Sequence, residues 1–278
     1  VECPRDAMQG LHNFIPTEKK VRYINRLLTV GFHTLDVGSF VSPKAIPQMR
    51  DTREVLEQIE WGASTTKLLT IVANQRGAND ALSFPQVSYL GYPFSISETF
   101  QKRNTNKSIA ESVELLRWMS DACADKDRSL VAYLSMGFGN PYAEEWSPQL
   151  LVDWAGRLVD MGIEIISLSD TVGVAKPEDI EEAFTKLTNA FPEVSFGAHL
   201  HTPYDDWRKR VDAAYNGGCR RFDGAIRGLG GCPMAKDDLV GNMPTEKLVT
   251  FAEEKGIKHN LNLLSLESAY NSALQTFY

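Results

Sequence analysis

Two imidazoles stand two residues apart in His199-Leu200-His201. On a strand that spacing points both side chains to one face, with Leu200 turned away. The pair reads either as metal ligands or as two polar side chains satisfying hydrogen bonds at a strand exit. Asp6 favours the metal, because it closes the first strand-like segment. In a closed ring of eight, that segment lies two places from the one carrying the histidines. Asn242 follows the eighth segment, between them, and offers a neutral oxygen. Two imidazoles, a carboxylate and an amide oxygen, completed by water, suit a hard or borderline divalent ion such as Mg²⁺ or Mn²⁺. A structural zinc would want thiolates. An ion with open positions can polarise a substrate's hydroxyl and carbonyl oxygens.

Arg5 adjoins Asp6. Its fixed charge either stabilises an enolate or carbonyl oxygen, or pairs with Asp36 or Asp170 across the same rim; the two are compatible. Asp36, Ser135, Asp170 and Arg227 close other apolar segments. Charge at the end of an apolar strand is costly unless paired or metal-bound, so its recurrence at one end points to a shared site. Gly228-Leu229-Gly230-Gly231-Cys232-Pro233 reads either as a mobile lid carrying a proton donor or as an ordinary loop. Lys102, Arg103 and Lys107, in the loop and helix start after the fourth segment, form a charged face or, alternatively, a phosphate contact. His12, His33 and His259 have no partner at useful spacing. Cys3, Cys123 and Cys219 read as small buried hydrophobes.

The elements that position these residues alternate along the chain. The remnant VEC, then TLDVGS, KLLTIVA, VSYLGY, SLVAYLSMG, IEIISLSDT, VSFGAHLH and RRFDGAIRG read as strands. Helices are expected from Thr17 to Leu28, about Asp51 to Ile59, from Ser108, after Ser147-Pro148 and Lys176-Pro177, from Trp207 to Asn216 and from Pro244 to Lys255. A further helix is expected between Asn260 and Tyr278. Strands separated by helices are parallel and covered on both faces. About eight strand–helix pairs predict an α/β fold, a TIM (β/α)8 barrel with an additional C-terminal helix, and one catalytic domain over residues 1–278. No G-x-G-x-x-G follows the first strand to favour a dinucleotide fold.

The net charge of −7 argues against a nucleic-acid partner, and no apolar run is long enough for a membrane span. Four cysteines with no C-x-x-C spacing imply reduced thiols. A bacterial cytoplasm is preferred over a mitochondrial matrix.

With these residues assembled, the chain resembles hydroxymethylglutaryl-CoA lyase, of the DRE-TIM metallolyase superfamily. The resemblance rests on Pro4-Arg5-Asp6 with Gln9, on SFVSPK from Ser39 to Lys44 with Pro47-Gln48-Met49, and on ISLSDTVGV from Ile166 to Val174. It also rests on His199-x-His201, GLGGCP from Gly228 to Pro233, and Gly241-Asn242 with Thr245-Glu246. It implies retro-Claisen cleavage of 3-hydroxy-3-methylglutaryl-CoA to acetoacetate and acetyl-CoA, chemistry of leucine degradation and ketone-body formation. Asp6, His199, His201 and Asn242 would hold the ion. Arg5 would stabilise the enolate, and Cys232 would close over the site and assist proton transfer. Asp36 and Asp170 would position the substrate and move the hydroxyl proton. Gln9, Ser39 and Lys44, with Arg5, would contact the acyl-CoA, and a homodimer would be the working form.

The chain departs from the family pattern at Ala7, Gly10, Leu11, Asp36 and Thr202. These positions surround the ligands and bear on the acyl group accepted. A Claisen-type condensing acyltransferase, like isopropylmalate synthase, is the first alternative. The second is a related lyase or aldolase with a different acyl or 2-oxo acid substrate. SFVSPK and the lack of a long C-terminal regulatory domain favour cleavage.

Overall fold

A computed structural model of the chain describes all residues except 204 and 232–239. Seven strands pair in parallel in chain order: β1 (Thr34–Ser39), β2 (Lys67–Ile71), β3 (Val87–Ser95), β4 (Ser129–Ser135), β5 (Ile165–Asp170), β6 (Ser195–Leu200) and β7 (Arg221–Phe222). Glu2 closes the ring by bridging Leu35 of β1 and Gly224 beyond β7, both in parallel. Its amide donates to the Thr34 carbonyl at 3.0 Å, and its carbonyl accepts from the Asp36 amide at 2.9 Å. The sheet is thus the curled parallel ring expected of a (β/α)8 barrel, with its first strand worn down to one bridging residue.

The pleat sorts the side chains of β6. On β6, Phe196, Ala198 and Leu200 pack outward into the layer between sheet and helices. Gly197 and His199 face inward, where Gly197 approaches Ser167 and Arg221. Leu69, Ile71, Val131 and Tyr133 form a separate cluster inside the ring. Several helices begin at a side-chain cap, among them those started by Asn74, Ser97, Ser147 and Asn262. Ser108 and Glu111 form a capping box ahead of helix Ile109–Ala124. The extra C-terminal helix runs Leu263–Phe277, capped by Asn262, and packs Phe277 edge-on against Tyr23 at 5.5 Å.

Two elements differ from expectation. Arg5 and Asp6 lie not on a strand end but on a short helix, Pro4–Gln9, opened by Pro4 at its first position. Neighbours on a helix are about 100° apart rather than opposed, which lets both side chains reach one side. Lys102 and Arg103 lie not in a loop but on helix Glu98–Thr105, capped by Ser97 and ended by Asn106 at φ 56°. That segment, ETFQKRNT, is polar almost all round, so its periodicity is faint.

Glu2 also carries a buried charge at the seam of the ring. Its carboxylate accepts from the Ile226 amide at 2.9 Å and the Thr245 hydroxyl at 2.5 Å. Burial outweighs both bonds and pushes its pKa up to about 7. The folded chain therefore holds this proton over a range in which the unfolded chain has lost it. Stability falls as pH rises from the unfolded value toward about 7. Glu2→Gln keeps an acceptor for the Ile226 amide and places an uncharged amide beside the Thr245 hydroxyl. Urea midpoints of the two proteins should diverge from pH 5 to pH 8, with wild type losing up to about 3 kcal/mol relative to the variant. Parallel pH dependences would contradict the buried charge.

Candidate active site

The strand ends surround a cavity of about 520 Å³, lined among others by Arg5, Gln9, Ser39, Ser135, His199 and His201. Arg5 organises one side. Its Nη1 donates to Asp6 Oδ1 and Gln9 Oε1, both at 2.8 Å. Nε and Nη2 donate to Asp36 Oδ2 at 2.9 and 2.6 Å. Four of the five guanidinium N–H groups are engaged, and the fifth meets no acceptor among the described residues. Burial works against the guanidinium's charge, but Asp36 and Asp6 outweigh it, so Arg5 stays protonated at any working pH.

The two carboxylates divide. Burial opposes the Asp6 charge, yet Arg5, the two histidines and a 2.6 Å bond from Asn242 Nδ2 outweigh it and hold the pKa at about 2. At Asp36, burial wins over Arg5 and raises the pKa to about 6. Its Oδ1 is buried and has no hydrogen-bond partner.

The candidate ligand atoms of Asp6, His199 and His201 all lie within 4.8 Å of one another. His201 Nδ1 lies 3.2 Å from the Thr171 carbonyl, which can only accept, so Nδ1 carries the ring proton. Nε2 is therefore bare, and it is buried without a partner. Burial and the neighbouring His199 push the His201 pKa down to about 4, keeping the ring neutral. His199 Nδ1 donates to Asp223 Oδ2 at 3.2 Å, which fixes that ring in turn. Burial works against charge on the His199 ring, but Asp223 and Asp6 outweigh it and raise its pKa. Asn242 bridges the backbone of His201, and its Nδ2 donates to Asp6 and to the Leu229 carbonyl. A bare buried nitrogen beside an ionised carboxylate fits a divalent cation. Cys3, His199 and Asp223 form a second close group. Burial, with Asp223 and Asp36, holds the Cys3 thiol well above its ordinary pKa.

Other expected residues land elsewhere. Asp170 points outward from β5, where its carboxylate accepts from Arg210 at 2.7 Å and from the Val174 and Ala175 amides at 3.0 and 2.9 Å. Ser169 and Thr171, on the opposite pleat, line the cavity instead. This corrects the place expected for Asp170 in the proton path. Lys44 is exposed in the turn after Pro43 and lies outside the cavity lining. Arg227 donates to the Tyr270 hydroxyl at 3.0 Å, away from the cavity. Arg103 and Lys107 do line it. Cys232 falls outside the described residues. Sequence reading missed Asp223, although it shares an inward face with Arg221 in RRFDG and follows the same period of two.

The HMGL-like family profile matches residues 2–272. Hydroxymethylglutaryl-CoA lyase YngG of Bacillus subtilis is 34% identical over 266 residues, covering 96% of this chain and 88% of the relative. The mitochondrial hydroxymethylglutaryl-CoA lyase of Mus musculus is 34% identical over 96% of this chain and 81% of its own length. Among solved structures, the HMG-CoA lyase of Bacillus subtilis superposes with a TM-score of 0.90 at 34% identity, covering 97% of this chain and 90% of that one. An HMG-CoA lyase from Acinetobacter baumannii, in complex with coenzyme A and 3-methylmalate, gives 0.89 at 32% identity, covering 97% and 87%. The carboxyl transferase domain of Rhizobium etli pyruvate carboxylase, 17% identical with a TM-score of 0.74, shares the fold alone. Likeness along nearly the whole chain, on the same closed parallel ring, means that this chain belongs to the HMGL-like family, that of the hydroxymethylglutaryl-CoA lyases it matches.

Proposed function

We propose that residues 1–278 form one catalytic domain, a carbon–carbon lyase that cleaves 3-hydroxy-3-methylglutaryl-CoA, or a close analogue, to acetoacetate and acetyl-CoA. The observation that carries this reading is the bare, buried His201 Nε2 beside His199 and Asp6, with the Arg5 guanidinium on the same carboxylate. Asp6, His199, His201 and Asn242 would hold Mg²⁺ or Mn²⁺. When bound, the ion supplies Lewis-acid polarisation of the substrate's hydroxyl and carbonyl oxygens.

The chain's own groups account for the rest. Cleavage needs the tertiary hydroxyl to lose its proton and the departing thioester enolate to meet fixed positive charge. Arg5 keeps one N–H for that oxygen while its other four hold it against Asp6, Gln9 and Asp36. Asp36, with an unpartnered Oδ1 and a pKa of about 6, has the proton affinity of a base working near neutrality. Cys232 is assigned the return of a proton to the enolate carbon. Gln9 and Ser39 contact the acyl end, and Arg103 and Lys107 offer cations to the anionic carrier at the mouth. Asp170, expected to share the proton transfer, is assigned instead to holding the turn from Val174 to Ala175. The 3-methylmalate bound to the Acinetobacter baumannii relative supports a hydroxy acid with a second carboxylate as the acyl class. A homodimer is proposed through the exposed Leu264 and Tyr278 near the C-terminus, and a bacterial cytoplasm as the compartment.

Incubation with hydroxymethylglutaryl-CoA and Mg²⁺ or Mn²⁺ should release acetoacetate. Chelation should stop the release and added metal restore it, whereas full turnover in metal-free protein would refute the site. Asp223→Asn should weaken Mn²⁺ binding about 10- to 100-fold by electron paramagnetic resonance titration, because the charge that holds His199 Nδ1–H is gone. An unchanged affinity would reduce Asp223 to packing.

A further inference from the structure

A second cavity, of about 260 Å³, lies against the first and shares Ser39, Val41, Ser42 and Asn74 with it. Three arginines, Arg50, Arg53 and Arg76, line it with a single acidic residue, Asp80. Arg50 lies 3.7 Å from the Phe14 ring centroid, and Arg53 lies 5.1 Å from that of Phe84. Contact with an aromatic ring steadies a guanidinium while leaving N–H groups free to donate. Arg53 donates to Asp80 at 3.1 Å, and Arg76 approaches the same carboxylate at 3.9 Å. Among the described residues, the contact that holds the Arg50 guanidinium is the Phe14 ring. Helix Gln75–Leu82 starts at this wall, where the Asn74 side chain takes the Gly77 amide. The Gln75 and Arg76 amides have no intrahelical acceptor. Stability gives no reason to gather three like charges around an open space; an anionic occupant does.

We propose that this cavity is a phosphate-binding subsite. Two sources carry that chemistry. One is a phosphoryl group of the coenzyme A thioester seated in the adjoining cavity, an arm that rests on the lyase reading above. The other is free inorganic phosphate. In either case the arginines supply affinity, and Asp80 weakens it.

The test has two arms. Inorganic phosphate is titrated calorimetrically at fixed ionic strength into wild type, Arg50→Ala/Arg53→Ala and Asp80→Asn, with thermal melts to show that each is folded. Phosphate affinity should fall about tenfold or more in the double variant and rise in Asp80→Asn, a gain that damaged structure does not produce. Steady-state kinetics then compare hydroxymethylglutaryl-CoA with the hydroxymethylglutaryl thioester of pantetheine, which lacks phosphate. A KM raised in the double variant for the first substrate alone identifies the substrate's own phosphate. An unchanged KM with lost phosphate affinity identifies the free ion. Equal phosphate affinity and equal KM in all three proteins would overturn the subsite. If wild type cleaves neither thioester, the lyase reading fails while the phosphate titration still decides the subsite.

Discussion

Three carboxylates, Asp6, Asp36 and Asp223, are buried at or beneath one rim of the ring, and that burial has to be compensated. Arg5 compensates two of them from one guanidinium, holding Asp6 through Nη1 and Asp36 through Nε and Nη2. The two respond differently because Asp6 also has two imidazoles and the Asn242 amide nearby. Asp36 has the arginine and, more weakly, His199, and burial with the neighbouring Asp6 charge raises its proton affinity. One cation thus holds one carboxylate ionised while the other keeps a proton affinity near neutrality. Asp223 is met by His199, whose ring it steers. Removing one partner of such a buried set leaves the other charged and unpaired, which costs about 3–5 kcal/mol.

The period of two along each strand decided much of what could be read in advance. His199 and His201 share a face, and the structure brings both to Asp6 as the spacing required. The same rule, applied to Ser169, Asp170 and Thr171, sends Asp170 outward to Arg210, so chemical type misled where the pleat did not. Asp223 was legible by that rule but lay just past a two-residue strand, too short to signal its own phase. Lys44 was a matter of loop conformation, which neither periodicity nor composition encodes.

At the level of the fold, alternating β-branched runs and capped amphipathic stretches were enough to foresee the parallel ring and the terminal helix. The first turn was not foreseen. Val1 to Cys3 reads as a strand, yet Pro4 at once starts a helix, and only the ring closure through Glu2 explains why so short a strand persists. Helix Glu98–Thr105 escaped notice for the opposite reason, since its capping serine and left-handed Asn106 outweigh a segment without an apolar stripe. Both segments carry residues that line the cavity, Arg5 and Arg103.

The account stands or falls on whether distant segments grip one cation. A crystal structure of the protein grown with Mn²⁺, with anomalous scattering recorded at the manganese edge, examines this directly. The expected result is a single strong anomalous peak about 2.0–2.2 Å from an Asp6 oxygen, His199 and His201 ring nitrogens and the Asn242 carboxamide oxygen. A peak bound elsewhere, or no peak with His201 Nε2 turned to a protein hydrogen-bond donor, would contradict it.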